Sequence, residues 1–235
     1  MDSATSDLLG GYRRIVVFAA HADDEMTMAG TIARFVASGV EVSVVVMTDG
    51  SEGYPSPELR DRIVALRRQE AAACDLVLGI RERVFIGQPD MGLEPSKACL
   101  QACIAAIRRL KPEAVFTHGP SDRHGDHRQT HRVSVDAVWH AGEPVSAALG
   151  EPWKTPWLYY YKGVSSGLPS VSIDVTDTAH KRWEALATQE SQFTLFKSDR
   201  RHLLARADDF RRNPQRTRET FWIAETNSLD RFPTI

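Results

Sequence analysis

The run Arg14-Ile-Val-Val-Phe-Ala-Ala20 constrains the fold most: it is short, apolar and rich in β-branched residues, and a polar turn follows at once. Beyond that turn, Met26 to Ala37 carries an apolar periodicity that stops at Gly39, so the order is strand, loop, helix. The same unit recurs. Val40–Met47 predicts a second strand, Thr48–Pro57 a Gly/Ser/Pro-dense loop long enough to act as a lid, and Glu58–Leu78 a helix stopped by Gly79. Arg83–Ile86 then predicts a third strand, Ser96–Leu110 a helix, and Glu113–Thr117 a fourth strand. Strands alternating with helices of this length imply an α/β fold: a Rossmann-like, doubly wound, mostly parallel sheet with helices on both faces. The regularity weakens after Trp139, where an aromatic strand Trp157–Lys162, a strand Val171–Val175, a helix from about Asp177 to Gln192 and a basic tail are expected. The 235 residues read as a single domain, 1–235, with a core over about 12–140 and a strand/helix extension over about 150–235.

Composition removes several function classes. A net charge of −2 with both signs interspersed leaves no basic stripe, so a nucleic-acid partner is not expected. No apolar run is long enough to span a membrane, and Met1–Gly11 has neither signal-peptide nor transit-peptide character, so a cytoplasmic protein without an integral membrane segment is expected. Cys74, Cys99 and Cys103 cannot all pair and read as reduced core residues. The loop after the first strand lacks the glycine patterns that cradle phosphates, which disfavours a dinucleotide enzyme.

In open α/β sheets ligands gather at the carboxyl ends of the strands, and the chemically dense loops of this chain follow strands. His21-Ala-Asp-Asp-Glu25 follows the first, Thr48-Asp-Gly-Ser-Glu52 the second, and His118 to His127 the fourth. His21 and Asp24, three apart, can converge on one point, with Asp23 between them; His124-Gly-Asp-His127 brings two further imidazoles to the same edge. Two nitrogens and one oxygen with a fourth position open to water suit catalytic zinc, with ferrous iron as a substitute. Singly, a strand-end His is usually a hydrogen-bonded loop residue and an Asp at a helix start usually a cap. Together, so many ionisable groups in five residues require a compensating cation or hydrogen-bond chain. Glu25 alone reads as a first-turn carboxylate favoured by the helix dipole.

These motifs resemble the A-H-P-D-D-E and H-P-D-H-R signatures of the PIG-L/LmbE-like family of zinc-dependent de-N-acetylases. The resemblance continues through Thr48-Asp49-Gly50, Arg67-x-x-Glu70, Leu78-Gly79, Pro89-Asp90 and Ser191-Gln192. Ala22 and Gly125 replace the two usual prolines, and Gln189 stands where many members have His. The resemblance implies His21, Asp24 and His127 as metal ligands, Asp23 as general base, His124 as oxyanion partner oriented by Asp126, and Arg67 and Asp90 as substrate contacts. It implies one Zn2+ per chain and removal of the acetyl group from an N-acetylated amino sugar by metal-activated water.

Other readings stand beside these. Arg67 and Glu70 are also an ordinary helical surface pair. Trp157, Tyr159 and Tyr161 alternate as core residues do, and His118 and His131 read as supporting or helix-surface residues. A metal phosphoesterase is the alternative enzyme, a metal-stabilised non-catalytic binding protein the alternative class. Partners are a small N-acetyl amino sugar or glycoconjugate, with homo-oligomerisation left open.

Overall fold

In strand β1 (Arg14–Ala19) every residue from Ile15 onward is buried, because both of its faces are covered. Ile15, Val17 and Ala19 enter one hydrophobic core while Val16 and Phe18 enter a second on the opposite face. The protein is described by a computed structural model covering residues 11–165 and 167–224; the expected polar start and the end of the basic tail lie largely outside the described residues. The remaining strands are β2 (Glu41–Thr48), β3 (Glu82–Gln88), β4 (Ala114–His118), β5 (Trp157–Lys162), β6 (Ser170–Asp174) and β7 (Arg218–Ile223). They form one sheet in the order β3-β2-β1-β4-β5-β7-β6. β1 to β5 run parallel, and β7 pairs antiparallel with β5 and β6, so the sheet is mostly parallel.

The helices are α1 (Ala29–Ala37), α2 (Ile63–Leu78), α3 (Lys97–Leu110), α4 (Gly125–Gly142), α5 (His180–Leu186), α6 (Phe193–Phe196) and α7 (Arg200–Arg212). Ile32 and Phe35 of α1, Cys74 and Leu78 of α2 and Ala185 of α5 pack on one face of the sheet. Cys99, Cys103 and Ile107 of α3 and Val133 and Ala137 of α4 pack on the other. The doubly wound expectation therefore holds, and the three cysteines are buried and unpaired. The strand order reverses between the parallel neighbours β1 and β4, which opens a crevice at their carboxyl ends, the usual ligand position of such sheets. No helix among the described residues is long and apolar enough to cross a membrane.

The second half departs from expectation. The helix expected over Asp177–Gln192 ends at Leu186, and a 3-10 turn follows at Glu190–Gln192. Glu70 on α2 supplies the reason: its carboxylate accepts from the Ser191 amide at 2.6 Å and the Ser191 hydroxyl at 2.7 Å. The expected basic tail instead folds as α6, α7 and β7, the last inserted between β5 and β6. The irregular connection after α4 is held by buried Arg108. Its guanidinium donates to the carbonyls of His140, Ala141, Glu143, Val145, Ser146 and Gly150, satisfying groups that the helix end leaves free.

Candidate active site

After Ala19 the strand ends, because the next backbone groups turn to the end of β2 and to side chains. The Ala20 carbonyl accepts from the Thr48 amide and hydroxyl, at 3.0 and 2.8 Å, tying the ends of β1 and β2 together. The Asp24 carboxylate then folds back onto the His21 amide at 2.9 Å. This closed turn sets the imidazole of His21 beside the carboxylate, Nδ1 to Oδ2 at 3.5 Å. Asp23 is directed elsewhere, with Oδ1 3.4 Å from Arg67 Nη2.

The second motif arrives from β4. Gly119 follows His118 and presses on the end of β5, where a Cβ would lie 2.5 Å from the Gly163 carbonyl oxygen, so only glycine fits. Asp122 accepts the His124 amide at 2.9 Å, and His124 caps α4 by accepting the Asp126 amide on Nδ1 at 3.2 Å. With Nδ1 occupied as an acceptor, the proton of a neutral His124 ring lies on Nε2. His127, in the first turn of α4, brings Nε2 to 3.2 Å from Asp24 Oδ1.

Asp24 is the centre of this cluster and is buried. Besides His21 and His127, its oxygens lie 3.3 Å from His118 Nε2 and 3.0 Å from Lys162 Nζ. Burial opposes ionisation, but the three imidazoles win and hold the carboxyl well below the usual carboxylate range. Burial likewise opposes the charge of His21, yet Asp126, Asp24 and Asp90 raise its pKa to about 11. His118 goes the other way: fully buried, it is pushed down to about 4 despite Asp24. Burial, together with the neighbouring His21 and His127, lowers His124.

Donor atoms of His21, Asp24 and His127 all lie within 4.8 Å of one another. Among the described residues two other groupings are as close, His21 with His124 and Asp126, and His118 with Asp122 and His127. Each reuses an imidazole of the first set. Only in the first do all three residues line the cavity of about 600 Å³ above the sheet edge. Asp126 is already committed: its carboxylate accepts the amides of Met91 and Leu93 at 2.9 and 3.3 Å and lies 3.3 Å from His21 Nε2. His21, Asp24 and His127 thus offer two imidazoles and a carboxylate that could hold a metal ion at the cavity.

Asp23, His124, Arg67 and Asp90 line the same cavity. Asp90 lies 3.1 Å from His21 Nε2 and accepts the Glu52 amide at 3.2 Å. Arg67 and Glu70 are buried, which removes the surface-pair reading. Arg67 threads the loop after β2, where a Cβ at Gly53 would sit 2.6 Å from Nη1, so the glycines there make room for a guanidinium. Gln192 donates to the Gly53 carbonyl at 2.8 Å, closing this wall against the second half of the chain.

Of the three alternating aromatics, Tyr159 and Tyr161 are buried and Trp157 is 40% exposed. The Tyr161 hydroxyl lies 2.7 Å from His118 Nε2, so it supports the cluster from below. His131 lies behind it, with Nδ1 2.9 Å from the His118 carbonyl. Sequence reasoning missed Lys162 and Asp122 at the cluster. Lys162 was within reach of the strand-end rule, since it closes β5 directly opposite His118 in register. Gln189 is buried beneath the 3-10 turn, outside the cavity lining.

The family model described as PIG-L, GlcNAc-PI de-N-acetylase, matches residues 16–138, more than half of the chain. The chain is 32% identical over 187 residues to 1D-myo-inositol 2-acetamido-2-deoxy-alpha-D-glucopyranoside deacetylase of Rhodococcus jostii (strain RHA1). That match covers 67% of this chain and 64% of the relative, so the chain spans slightly under two thirds of that relative's length. It is 26% identical to the diacetylchitobiose deacetylase of Thermococcus kodakarensis, covering 82% of this chain and 75% of that one. The solved N,N'-diacetylchitobiose deacetylase of Pyrococcus horikoshii superposes with a TM-score of 0.81 at 23% identity, over 97% of this chain and 90% of that one, and so shares its fold. On the match over residues 16–138, which takes in both histidine-aspartate motifs, the chain belongs to the PIG-L family.

Proposed function

We propose that this protein is a zinc-dependent hydrolase that removes the acetyl group from an N-acetylated amino sugar, an N-acetylglucosamine-type glycoside or conjugate. One observation carries the reading: His21, Asp24 and His127 open together onto a cavity that Asp23 and His124, neither required to hold an ion, also line. The named activities of the two relatives, both on N-acetylated glucosamine derivatives, support it. His21, Asp24 and His127 would hold the ion, which supplies Lewis acidity toward an acetamide oxygen and toward water.

The chain's own groups divide the remaining work. Asp23 stands beside the ligand carboxylate without sharing its imidazole contacts, and is assigned to take the proton of the attacking water. Arg67, at 3.4 Å, fixes its orientation and adds a positive charge to the wall of the cavity. His124, with Nδ1 held by the Asp126 amide, directs Nε2–H toward the cavity, where it meets the oxygen that becomes negative as the carbonyl carbon turns tetrahedral. Asp126 orients His124 through its backbone, while its carboxylate receives His21 Nε2–H and leaves Nδ1, on the Asp24 side, as donor. The departing amine takes a proton from Asp23 or His124. Arg67 and Asp90 are assigned to the sugar.

Amine release from methyl N-acetylglucosaminide and from an N-acetyl-amino acid, set beside phosphate release from a phosphate monoester, tests the substrate class. Turnover of the glycoside alone is expected. Preference for the acylated amino acid or the phosphate ester would overturn the reading.

A further inference from the structure

The cavity is built of two unlike ends. Every acidic side chain that lines it, Asp23, Asp24, Glu52 and Asp90, belongs to the strand-end loops. The opposite wall comes from α5, α6 and α7, beyond the residues 16–138 that the family model matches. That wall is apolar, formed by Trp183, Leu186, Leu195, Phe196 and Leu203 with Met26 below, and its charges are all positive: Arg182, Lys197 and Arg206. Arg206 stacks over the Trp183 ring with its guanidinium carbon 3.9 Å from the centroid, and Arg182 stands 5.8 Å from it. Among the described residues neither Arg206 nor Lys197 has a carboxylate partner. Lys197 also occupies a left-handed position, φ 51°, that favours glycine at a helix end, so its side chain is held at a backbone cost.

We infer that this wall is the subsite for the aglycone, and that the substrate is an N-acetylglucosaminide whose aglycone has an apolar body ending in a carboxylate or phosphate. The inference rests on the deacetylase reading and adds the substrate's other half. Continuity decides the occupant: the apolar wall and the metal-capable cluster face one cavity, so a single ligand placing its acetamide at the cluster extends its remainder along the wall. Charge decides its chemistry. A neutral polyol or a second neutral sugar would leave the cations of Arg206 and Lys197 unmatched and Leu195, 71% exposed, in contact with water. A planar or alkyl aglycone covers Trp183 and Leu186, and an anion at its far end meets the guanidinium with charge-assisted hydrogen bonds.

The test uses the full zinc-loaded chain and three probes: the methyl, phenyl and 4-carboxyphenyl glycosides of N-acetylglucosamine. kcat/KM is expected to rise about threefold from methyl to phenyl and about tenfold more for 4-carboxyphenyl, the last step shrinking as salt is raised. Arg206→Gln, exposed and outside the core, should draw the carboxyphenyl-to-phenyl ratio toward one, as should Lys197→Gln; Trp183→Ala should draw the phenyl-to-methyl ratio toward one. Equal kcat/KM for phenyl and carboxyphenyl glycosides, or a ratio unmoved by both cation substitutions, overturns the subsite while leaving the deacetylase standing. Failure of all three glycosides, the methyl one included, overturns both.

Discussion

Asp24 and Glu25 are adjacent, both buried and both acidic, yet the fold treats them oppositely. Asp24 faces the cavity among three imidazoles that hold it well below the usual carboxylate range. Glu25 faces the core, where burial raises its carboxyl to about 7 against the pull of Arg83. Its partner set is small: Arg83 Nη2 at 2.6 Å, itself shared with Asp75 at 2.6 Å. The Asp24 cluster gathers imidazoles around the carboxylate beside Lys162 and opens onto the cavity; the Glu25 cluster is closed around Arg83. A buried charge group left open costs stability unless something fills it, whereas a closed one ties elements together. One turn thus joins a site for chemistry to a brace between β3, α2 and the start of the site loop.

The comparison breaks most visibly at the aspartates. Asp24→Ala should lose zinc along with activity, whereas Asp23→Ala should keep zinc and lower kcat by about a thousandfold, in the range of a lost general base. Zinc stoichiometry and kcat on both variants decide it; a metal-free Asp23→Ala beside a zinc-replete, inactive Asp24→Ala would exchange their roles. On the closed side, Arg83→Met should cost about 3–5 kcal/mol of stability by leaving Glu25 buried without its partner. Denaturant unfolding measures this, and the double replacement Arg83→Met with Glu25→Met should recover much of it. A stability loss under 1 kcal/mol would remove the brace from the account.

A smaller effect separates His124 from the ligands. His124→Ala should lower kcat by about two to three powers of ten, the range for one oxyanion donor, with zinc content intact. Loss of zinc would make it a ligand. The smallest effect concerns Glu219, whose carboxylate accepts the Gly30 and Thr31 amides, at 3.1 and 2.8 Å, with its pKa raised by burial. A raised carboxyl keeps its proton in the folded state after the unfolded chain has lost it, so wild-type stability falls as pH climbs above the ordinary carboxylate range. Glu219→Gln lacks that fall. Its stability relative to wild type should therefore improve by about 1 kcal/mol or less between about pH 4 and about pH 8; a relative decline would show that the capping bonds favour the charged form more than burial opposes it.

The first half of the chain was legible because its signals are local. Apolar strands alternate with amphipathic helices, and His21, Asp24 and His127 stand just beyond the strand ends that the strand-end rule points to, Asp24 and His127 in first helical turns. The second half was not, because its structure depends on partners far away in sequence. β7, Arg218–Ile223, follows an arginine-rich stretch and reads as tail; only its antiparallel pairing with β5 and β6 makes it a strand. The break after Leu186 is set by Glu70, 121 residues away from Ser191. The i, i+3 spacing of Arg67 and Glu70 suits either a surface pair or two buried anchors, and the choice depends on the glycine loop and the 3-10 turn that pack over α2. Sequence therefore located the metal-capable end of the cavity and left its far wall unread.

The most direct test of the account is acetate release from an N-acetylglucosaminide by chelated, metal-free protein, before and after titration with zinc. No turnover is expected without metal, with restoration that saturates at one zinc per chain and Asp24→Ala failing to respond. Full activity in the metal-free protein, or restoration by zinc in Asp24→Ala equal to wild type, would contradict it.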